Sequence, residues 1–347
     1  MKSVIISGNG IVSITNSNRK VKLASPGDII VRMKACGICG SDLEKVFGKY
    51  GMSSAKLGHE PAGEILEVGE NFKDFKSGDR VFVHHHVSCN SCHLCRHGNF
   101  TMCEHYQKSN LEPCGLANEF LVPEWNVYRG GVLKLPDAVS YEQASLIEPL
   151  ACCIRAFEKI KYSNKGDSIA IFGAGPAGLM LTGLAKLYGF SKIFILDLNH
   201  FRLGFCKKNF PDVITINPEQ VNFVKIINEH TSNRGVDLSI VATSSLHALS
   251  NSYDIIRKGG TVMLFGVPQK GSIFQFDVAK IYSNELSFFT SYAASDVDTK
   301  EALKLLSEKI VDLDFLITHR FDLDHSQDAF NCAHKAKDCM KVIITSK

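Results

Sequence analysis

Residues 168–197 read SIAIFGAGPAGLMLTGLAKLYGFSKIFILD, and few folds accommodate such a segment. An apolar run, SIAIF, enters Gly173-x-Gly175-x-x-Gly178 without a linker, and an apolar helix-forming stretch leaves it. The glycine spacing alone is a weak signal. Between a strand and a helix it specifies a βαβ unit that grips a dinucleotide. Gly173 permits the tight turn, Gly175 lets a pyrophosphate reach the backbone, and Gly178 lets helix and strand pack closely. The free N–H groups at the helix start then face the phosphates. Asp197 closes the next apolar run, at the place where a carboxylate accepts from ribose hydroxyls and repels a 2′-phosphate. That favours NAD over NADP. Arg202, a little further on, could stack on adenine or relieve part of the repulsion.

The alternation continues through KIFILD (192–197), VITI (213–216), DLSIVAT (237–243) and TVMLFGV (261–267), each separated by a helix-length segment. Strands alternating with helices imply a parallel sheet covered on both faces. Residues before about 150 differ. IIVRMKAC (29–36), AGEILEVG (62–69), RVFVHHHV (80–87) and EFLVP (119–123) are short strand-like runs among Gly, Asp, Asn and Ser. The tail carries an amphipathic helix over 298–310 and a strand-like KVIIT (341–345). The expected architecture is α/β: a β-rich domain over 1–150, a doubly wound parallel-sheet domain over 151–285, and a segment 286–347.

Composition excludes several classes. The 347 residues carry a net charge of only +3, so no basic field points to nucleic acid or an anionic membrane. The most apolar stretch, 168–189, is interrupted by glycines, a proline and a lysine, and is no membrane span. The start, MKSVIISGNG, has no secretory pattern, so a cytoplasmic enzyme or binding protein is expected.

Twelve cysteines in such a chain point to metal or redox chemistry where they cluster. Cys89-x2-Cys92-x2-Cys95-x7-Cys103 can close a tetrahedron of thiolates, each about 2.3 Å from a Zn²⁺ ion. All positions are then filled, so such a zinc is structural. An iron–sulfur cluster competes, but the spacing differs from ferredoxin runs and no proline follows the last cysteine; metal-free thiols are the remaining reading. His93, His97 and His105 are surplus and read as exposed loop residues. Cys114, Cys152, Cys153, Cys206, Cys332 and Cys339 are scattered among apolar neighbours and read as packing.

Two shorter segments complete the set: Cys36-Gly-Ile-Cys39-Gly-Ser41-Asp42 and Gly58-His59-Glu60. Alone, Cys-x-x-Cys could be a redox pair. Followed in order by Gly-His-Glu, the cysteine lobe and the dinucleotide loop, it resembles the zinc-dependent medium-chain alcohol and polyol dehydrogenases over essentially the whole chain. The sorbitol, galactitol-phosphate and threonine enzymes are the nearest type. The resemblance implies a GroES-like catalytic domain over 1–150, a Rossmann domain over 151–285, and a tail that returns to the catalytic domain. It makes Cys39 and His59 ligands of a catalytic zinc, with Glu60 as a flexible third partner. Cys36 does not carry over. Glu148, in Leu146-Ile-Glu-Pro-Leu, stands where the polyol enzymes offer a carboxylate and the ethanol enzymes a cysteine; it is expected to reach the metal directly or through water. The plain alternative for Glu148 is an acidic residue at a helix start. Asp42 would accept from the ring N–H of His59 and fix its tautomer.

The implied chemistry is a zinc that acidifies an alcohol, a Ser41 hydroxyl that takes the proton, and hydride transfer to NAD. The implied partners are a small-molecule alcohol or polyol and further copies of the chain, as a dimer or tetramer. Departures from the family are Glu44, where many relatives relay protons through histidine, and Cys114, where they usually carry glycine. Glu44 either relays or is a surface charge, with the second favoured. The three residues of the run His84-His85-His86 cannot all meet one ion, because neighbouring strand residues point to opposite faces. The run reads as strand packing near the cleft, with metal binding as the alternative. Competing functions are a glucose-type sugar dehydrogenase using NAD(P), a zinc-free quinone reductase, and a non-catalytic NAD- and zinc-binding protein. Zinc content discriminates among the classes: about two ions per chain for the dehydrogenase, none for the reductase and one for the binding protein.

Overall fold

The computed structural model describes residues 1–17, 20–48, 56–71, 73–160 and 166–346. It divides into two units, Met1–Ala151 with Ala293–Lys347, and Cys152–Tyr292.

The unit Cys152–Tyr292 is built on a parallel sheet of six strands: Ser168–Phe172, Lys192–Leu196, Ile214–Ile216, Val236–Val241, Ile256–Leu264 and Ser287–Thr290. Ranked by sequence, they lie in the order 3-2-1-4-5-6. The sheet therefore reverses direction beside Ser168–Phe172, and a doubly wound sheet binds its ligand beyond the strand ends at that point. Ala170, Phe172, Phe194, Leu196 and Ile227 form a buried core against the helices. Each large side chain buried there contributes on the order of 1.5–3 kcal/mol. Helix starts are set by local chemistry. Asn199, Asn222, Ser245 and Asp277 each accept from the backbone N–H three residues on, at 3.0–3.3 Å.

The boundary expected at 285 needs correction. Ser287–Thr290 pairs parallel with Thr261–Leu264, which carries this unit to Tyr292. Its sequence, SFFT, is too short to show strand alternation, and as an edge strand it is mostly exposed.

The other unit centres on Ile29–Gly37, which pairs antiparallel with Glu60–Val68, Glu119–Val122 and Lys341–Thr345. Arg80–Val83 and Val132–Lys134 extend the sheet on one side and Ile317–Asp322 on the other. The C-terminal strand thus lies beside the strand that leads to Cys39. Ile29, Val31, Met33, Val81, Phe120 and Ile344 along these strands face one core, which also takes in Phe330 of the tail.

Two further details depart from expectation. Lys2–Gly8 and Ile11–Asn16 form an antiparallel hairpin that the strand pattern did not reveal; its Asn9-Gly10 turn is carried by Gly10 at φ +75°. The strand expected over 80–87 stops at Val83. Beyond it the Asn126 side chain takes the carbonyls of His84 and His85, at 3.2 and 2.9 Å, in place of a strand partner. Among the described residues no helix is long and apolar enough to cross a membrane.

Candidate active site

Sheet register assembles the first cluster. Gly37 ends its strand opposite Glu60, so the segment leading to Cys39 lies against His59-Glu60. One donor atom each from Cys39, His59 and Glu60 lies within 4.8 Å of the others. A Cβ on Gly37 would sit 1.7 Å from Glu60 Oε2, so only glycine leaves room for that carboxylate.

Asp42, fully buried in the helix Gly40–Phe47, ties the two ligand segments together. Its carboxylate accepts from the backbone N–H of Cys39 at 3.3 Å and of Gly58 at 3.2 Å, and lies 3.3 Å from His59 Nδ1. Burial alone would raise the Asp42 pKa, but the charge and hydrogen bond of His59, helped by Lys45, hold it down to about 2. Burial likewise disfavours the charged form of His59, yet Asp42 and Cys39 outweigh it and raise the imidazole well above its usual range. A metal entering here displaces a proton from that ring. With Nδ1 turned to Asp42, Nε2 is the ring nitrogen left to face a metal, and Ser41 Oγ stands 3.5 Å from it.

Lys341 is a member that sequence reading missed. It is 3% exposed, and its ammonium donates to Glu60 Oε1 at 2.7 Å. Burial would lower its pKa, but the charges of Glu60 and Cys39 raise it, so it stays a cation. The available signal was a lysine opening an otherwise apolar strand, KVIIT; a buried lysine needs an acidic partner.

The remaining expected residues fall as follows. Glu148 is 5% exposed at the start of the helix Ile147–Ile160, outside the Cys39–His59–Glu60 group, and its charge acts on Lys341. Cys36 is fully buried, and burial pushes its thiol up; its S–H faces the Gly37 carbonyl. Glu44 is exposed. His84 is buried against Phe82 and Tyr106, and His86 turns to the Ser109 carbonyl.

The second cluster gathers Cys89, Cys92, Cys95 and Cys103. The Cys92–Cys95 and Cys89–Cys95 sulfur distances are 3.5 and 3.9 Å. These bracket the edge of a tetrahedron with arms of about 2.3 Å, roughly 3.8 Å, and are far too long for a disulfide. Backbone N–H groups of Cys89 and Cys92 point at the sulfurs of Cys103 and Cys89, at 3.4 and 3.3 Å. Such donors favour thiolates. His93, His97 and His105 are exposed and outside the set.

The glycine turn lies in the other unit. A Cβ on Gly178 would fall 1.8 Å from the Gly173 carbonyl oxygen, which fixes glycine there. At Gly175 the nearest atom to such a Cβ is the Arg202 guanidinium at 3.5 Å, so a cation overlooks the glycine turn. Asp197 Oδ2 accepts from Ala174 N–H at 2.7 Å and Oδ1 from Asn199 N–H at 2.8 Å, holding the carboxylate at the strand end. The turn, the cation and the strand-end acid together fit a dinucleotide.

Comparison with known proteins agrees with this geometry. Residues 25–137 match the alcohol dehydrogenase GroES-like domain, and residues 176–308 match the zinc-binding dehydrogenase domain. The chain is similar to sorbitol dehydrogenase of Bacillus subtilis (33% identical, over 91% of this chain and 90% of the relative). It is also similar to D-arabitol-phosphate dehydrogenase of Enterococcus avium (30% identical, over 100% and 97%). An alcohol dehydrogenase of Escherichia coli CFT073, solved with NADH, superposes at a TM-score of 0.87 with 27% identity, covering 100% of this chain and 99% of that one. The chain therefore belongs to the zinc-dependent alcohol and polyol dehydrogenase family, enzymes that move hydride between an alcohol carbon and a nicotinamide cofactor.

Proposed function

We propose that the chain oxidises a polyol or sugar-like secondary alcohol with NAD, using Cys39, His59 and Glu60 to hold a catalytic zinc and Glu148 to reach it directly or through water. The observation that carries this reading is the convergence of the Cys39, His59 and Glu60 donors within 4.8 Å, with Asp42 fixing the imidazole. Bound there, zinc acts as a Lewis acid toward an alcohol oxygen. The chain's own groups do the rest. Ser41 Oγ, 3.5 Å from His59 Nε2, accepts the substrate hydroxyl proton in this reading and passes its own hydroxyl proton on to solvent. Asp42 accepts from His59 Nδ1 and leaves Nε2 to face the metal. Lys341 balances the buried Glu60 charge. Gly173, Gly175, Gly178, Asp197 and Arg202 hold the dinucleotide, and Cys89, Cys92, Cys95 and Cys103 hold a structural zinc.

The relatives named for sorbitol and arabitol phosphate support a polyol substrate. Exposed Val278, Tyr282 and Phe289, near the open edge strand Ser287–Thr290, support a homo-oligomer. The seven cysteines outside the two metal clusters, none of them in a disulfide, support a reducing, cytoplasmic setting. The direct test is NADH absorbance on a panel of polyols, sugars, sugar phosphates, threonine and simple alcohols. Turnover of polyols is expected, and failure of every polyol while sugars react favours the sugar enzyme.

Two variants test parts of the site. Asp197→Ser removes the acid that accepts from ribose, and the NAD⁺ over NADP⁺ preference in kcat/KM should narrow about ten- to a hundredfold. A parent enzyme faster with NADP⁺ would show that Arg202 dominates. Glu148→Gln keeps volume but removes charge near the metal, and retention of the catalytic zinc should weaken about 10- to 100-fold. Zinc per chain after mild chelation checks this, with the cysteine-held ion unchanged. Equal retention returns Glu148 to a helix-start acid.

A further inference from the structure

The cysteine lobe carries three histidines that take no part in its thiolate cluster, His93, His97 and His105. They are not equivalent. His105 lies against Trp125, ring centroids 4.7 Å apart and planes 26° from parallel, so its ring is engaged in packing. His93 and His97 instead meet each other across one turn. They stand four residues apart on the helix His93–Arg96 and its C-terminal cap, spaced to share one face. Their ring centroids are 4.2 Å apart, and both residues are exposed. Arg96 leaves that face open, because its Nε donates to the Ser91 carbonyl at 2.9 Å.

The hydrogen bonding of His97 decides what this pair can do. Its Nδ1 lies 2.8 Å from the His93 carbonyl, and a carbonyl only accepts, so Nδ1 carries the proton. In the neutral ring the lone pair is then on Nε2, the outer nitrogen. A ring N–H donated to a backbone carbonyl is the arrangement that orients metal-binding histidines. Two imidazoles on one ion, with arms of about 2.1 Å, have ring centres roughly 4.5–5 Å apart. The 4.2 Å spacing here is a small rotamer adjustment away from that. Burial does not account for the pair, because both residues face water. Charge favours a cation as well. Four thiolates around a Zn²⁺ ion carry a net charge of about −2, and His93 directly follows Cys92 in the chain.

We propose that His93 and His97 form an exposed two-imidazole site for a divalent transition-metal ion of the Zn²⁺ or Ni²⁺ class, separate from the four-cysteine site. An ion held there clamps the single helical turn that carries Cys95 and is capped by Cys92. So short a helix has almost no stability of its own, and tying its ends together favours the form that binds zinc through the thiolates. The coupling is reciprocal: zinc on the cysteines fixes the turn and brings the two imidazoles together. This coupling, though not the imidazole site itself, rests on reading Cys89, Cys92, Cys95 and Cys103 as a zinc site. With only two protein donors, the ion exchanges far more readily than the thiolate-held zinc.

The test is a calorimetric titration of the zinc-loaded protein with NiCl₂. The parent should take up about one Ni²⁺ per chain, with its zinc content constant throughout. His93→Gln and His97→Gln each keep a polar side chain but lose a donor, and each should weaken that binding about tenfold or more. His105→Gln should bind as the parent does, because His105 is outside the pair. Ni²⁺ should also raise the melting temperature of the parent and of His105→Gln, and leave the two pair variants where they were. A parent that binds no Ni²⁺, or undiminished binding in both pair variants, overturns the proposal. Loss of the cysteine-held zinc in both pair variants overturns it too, because the imidazoles would then belong to that site. Binding at the pair without a rise in melting temperature overturns the clamp. A parent without cysteine-held zinc overturns the zinc reading of the lobe and the coupling with it, while the NiCl₂ titration still decides the imidazole site.

Discussion

Cys39→Ala and His59→Ala are each expected to lower turnover about 10³-fold or more while leaving a folded protein that still binds NADH. Each removes one donor of a three-residue group whose atoms lie within 4.8 Å of one another. The remaining two hold a metal poorly, and the several kcal/mol of Lewis-acid stabilisation go with it, about 1.4 kcal/mol per factor of ten. The fold should survive for a specific reason. Cys39 and His59 sit at the edges of strands and a helix, whereas the core beneath them is Ile29, Val31, Met33 and Val81. NADH binding is expected to persist, because Gly173, Gly175, Gly178 and Asp197, the residues proposed to hold the dinucleotide, belong to the unit Cys152–Tyr292. Asp42→Asn is the informative companion. It keeps every metal donor but removes the charge that orients His59, so part of the activity should remain. Turnover in Cys39→Ala comparable to the parent would show that the cluster is not the catalytic centre; loss of NADH binding would show that the variant is misfolded.

The residues that were legible in the sequence share a property: their partners are close in the chain or belong to a motif with fixed spacing. Cys39, Ser41 and Asp42 lie on one turn, and His59 reaches Asp42 across a single strand pairing. The glycine turn is local by construction. Lys341 was not legible because its partner, Glu60, is 281 residues away and the contact exists only once Lys341–Thr345 pairs with Ile29–Gly37. The end of the strand at Val83 was missed for a similar reason. RVFVHHHV looks uniform, and a distant asparagine decides where pairing stops. Ser287–Thr290 escaped notice because its pairing, not its pattern, makes it a strand.

Cys95→Ala should act on stability rather than chemistry. Between Cys89 and Cys103 the lobe has only a four-residue helix, His93–Arg96, and a single turn at Phe100–Met102, over a small cluster of the cysteines with Phe100 and Tyr106. Cys95 and Cys103 are 4% and 2% exposed, so the thiols occupy the place of a hydrophobic core. A closed thiolate site contributes folding energy directly, and the metal-free lobe has too few apolar contacts to replace it. Tyr106 connects the lobe to the tail by donating to the Ala294 carbonyl at 2.6 Å, so loosening it also frees that connection. The variant should lose one zinc per chain and melt lower by about 5 °C or more. Its remaining zinc should support turnover at temperatures where the protein is still folded, because Cys39, His59 and Glu60 are untouched. Chelation should then lower the melting temperature of the parent toward that of the variant but move the variant little. Equal melting temperatures for Cys95→Ala and the parent would remove the structural role, and loss of both zinc ions in the variant would mean that the two sites do not form independently.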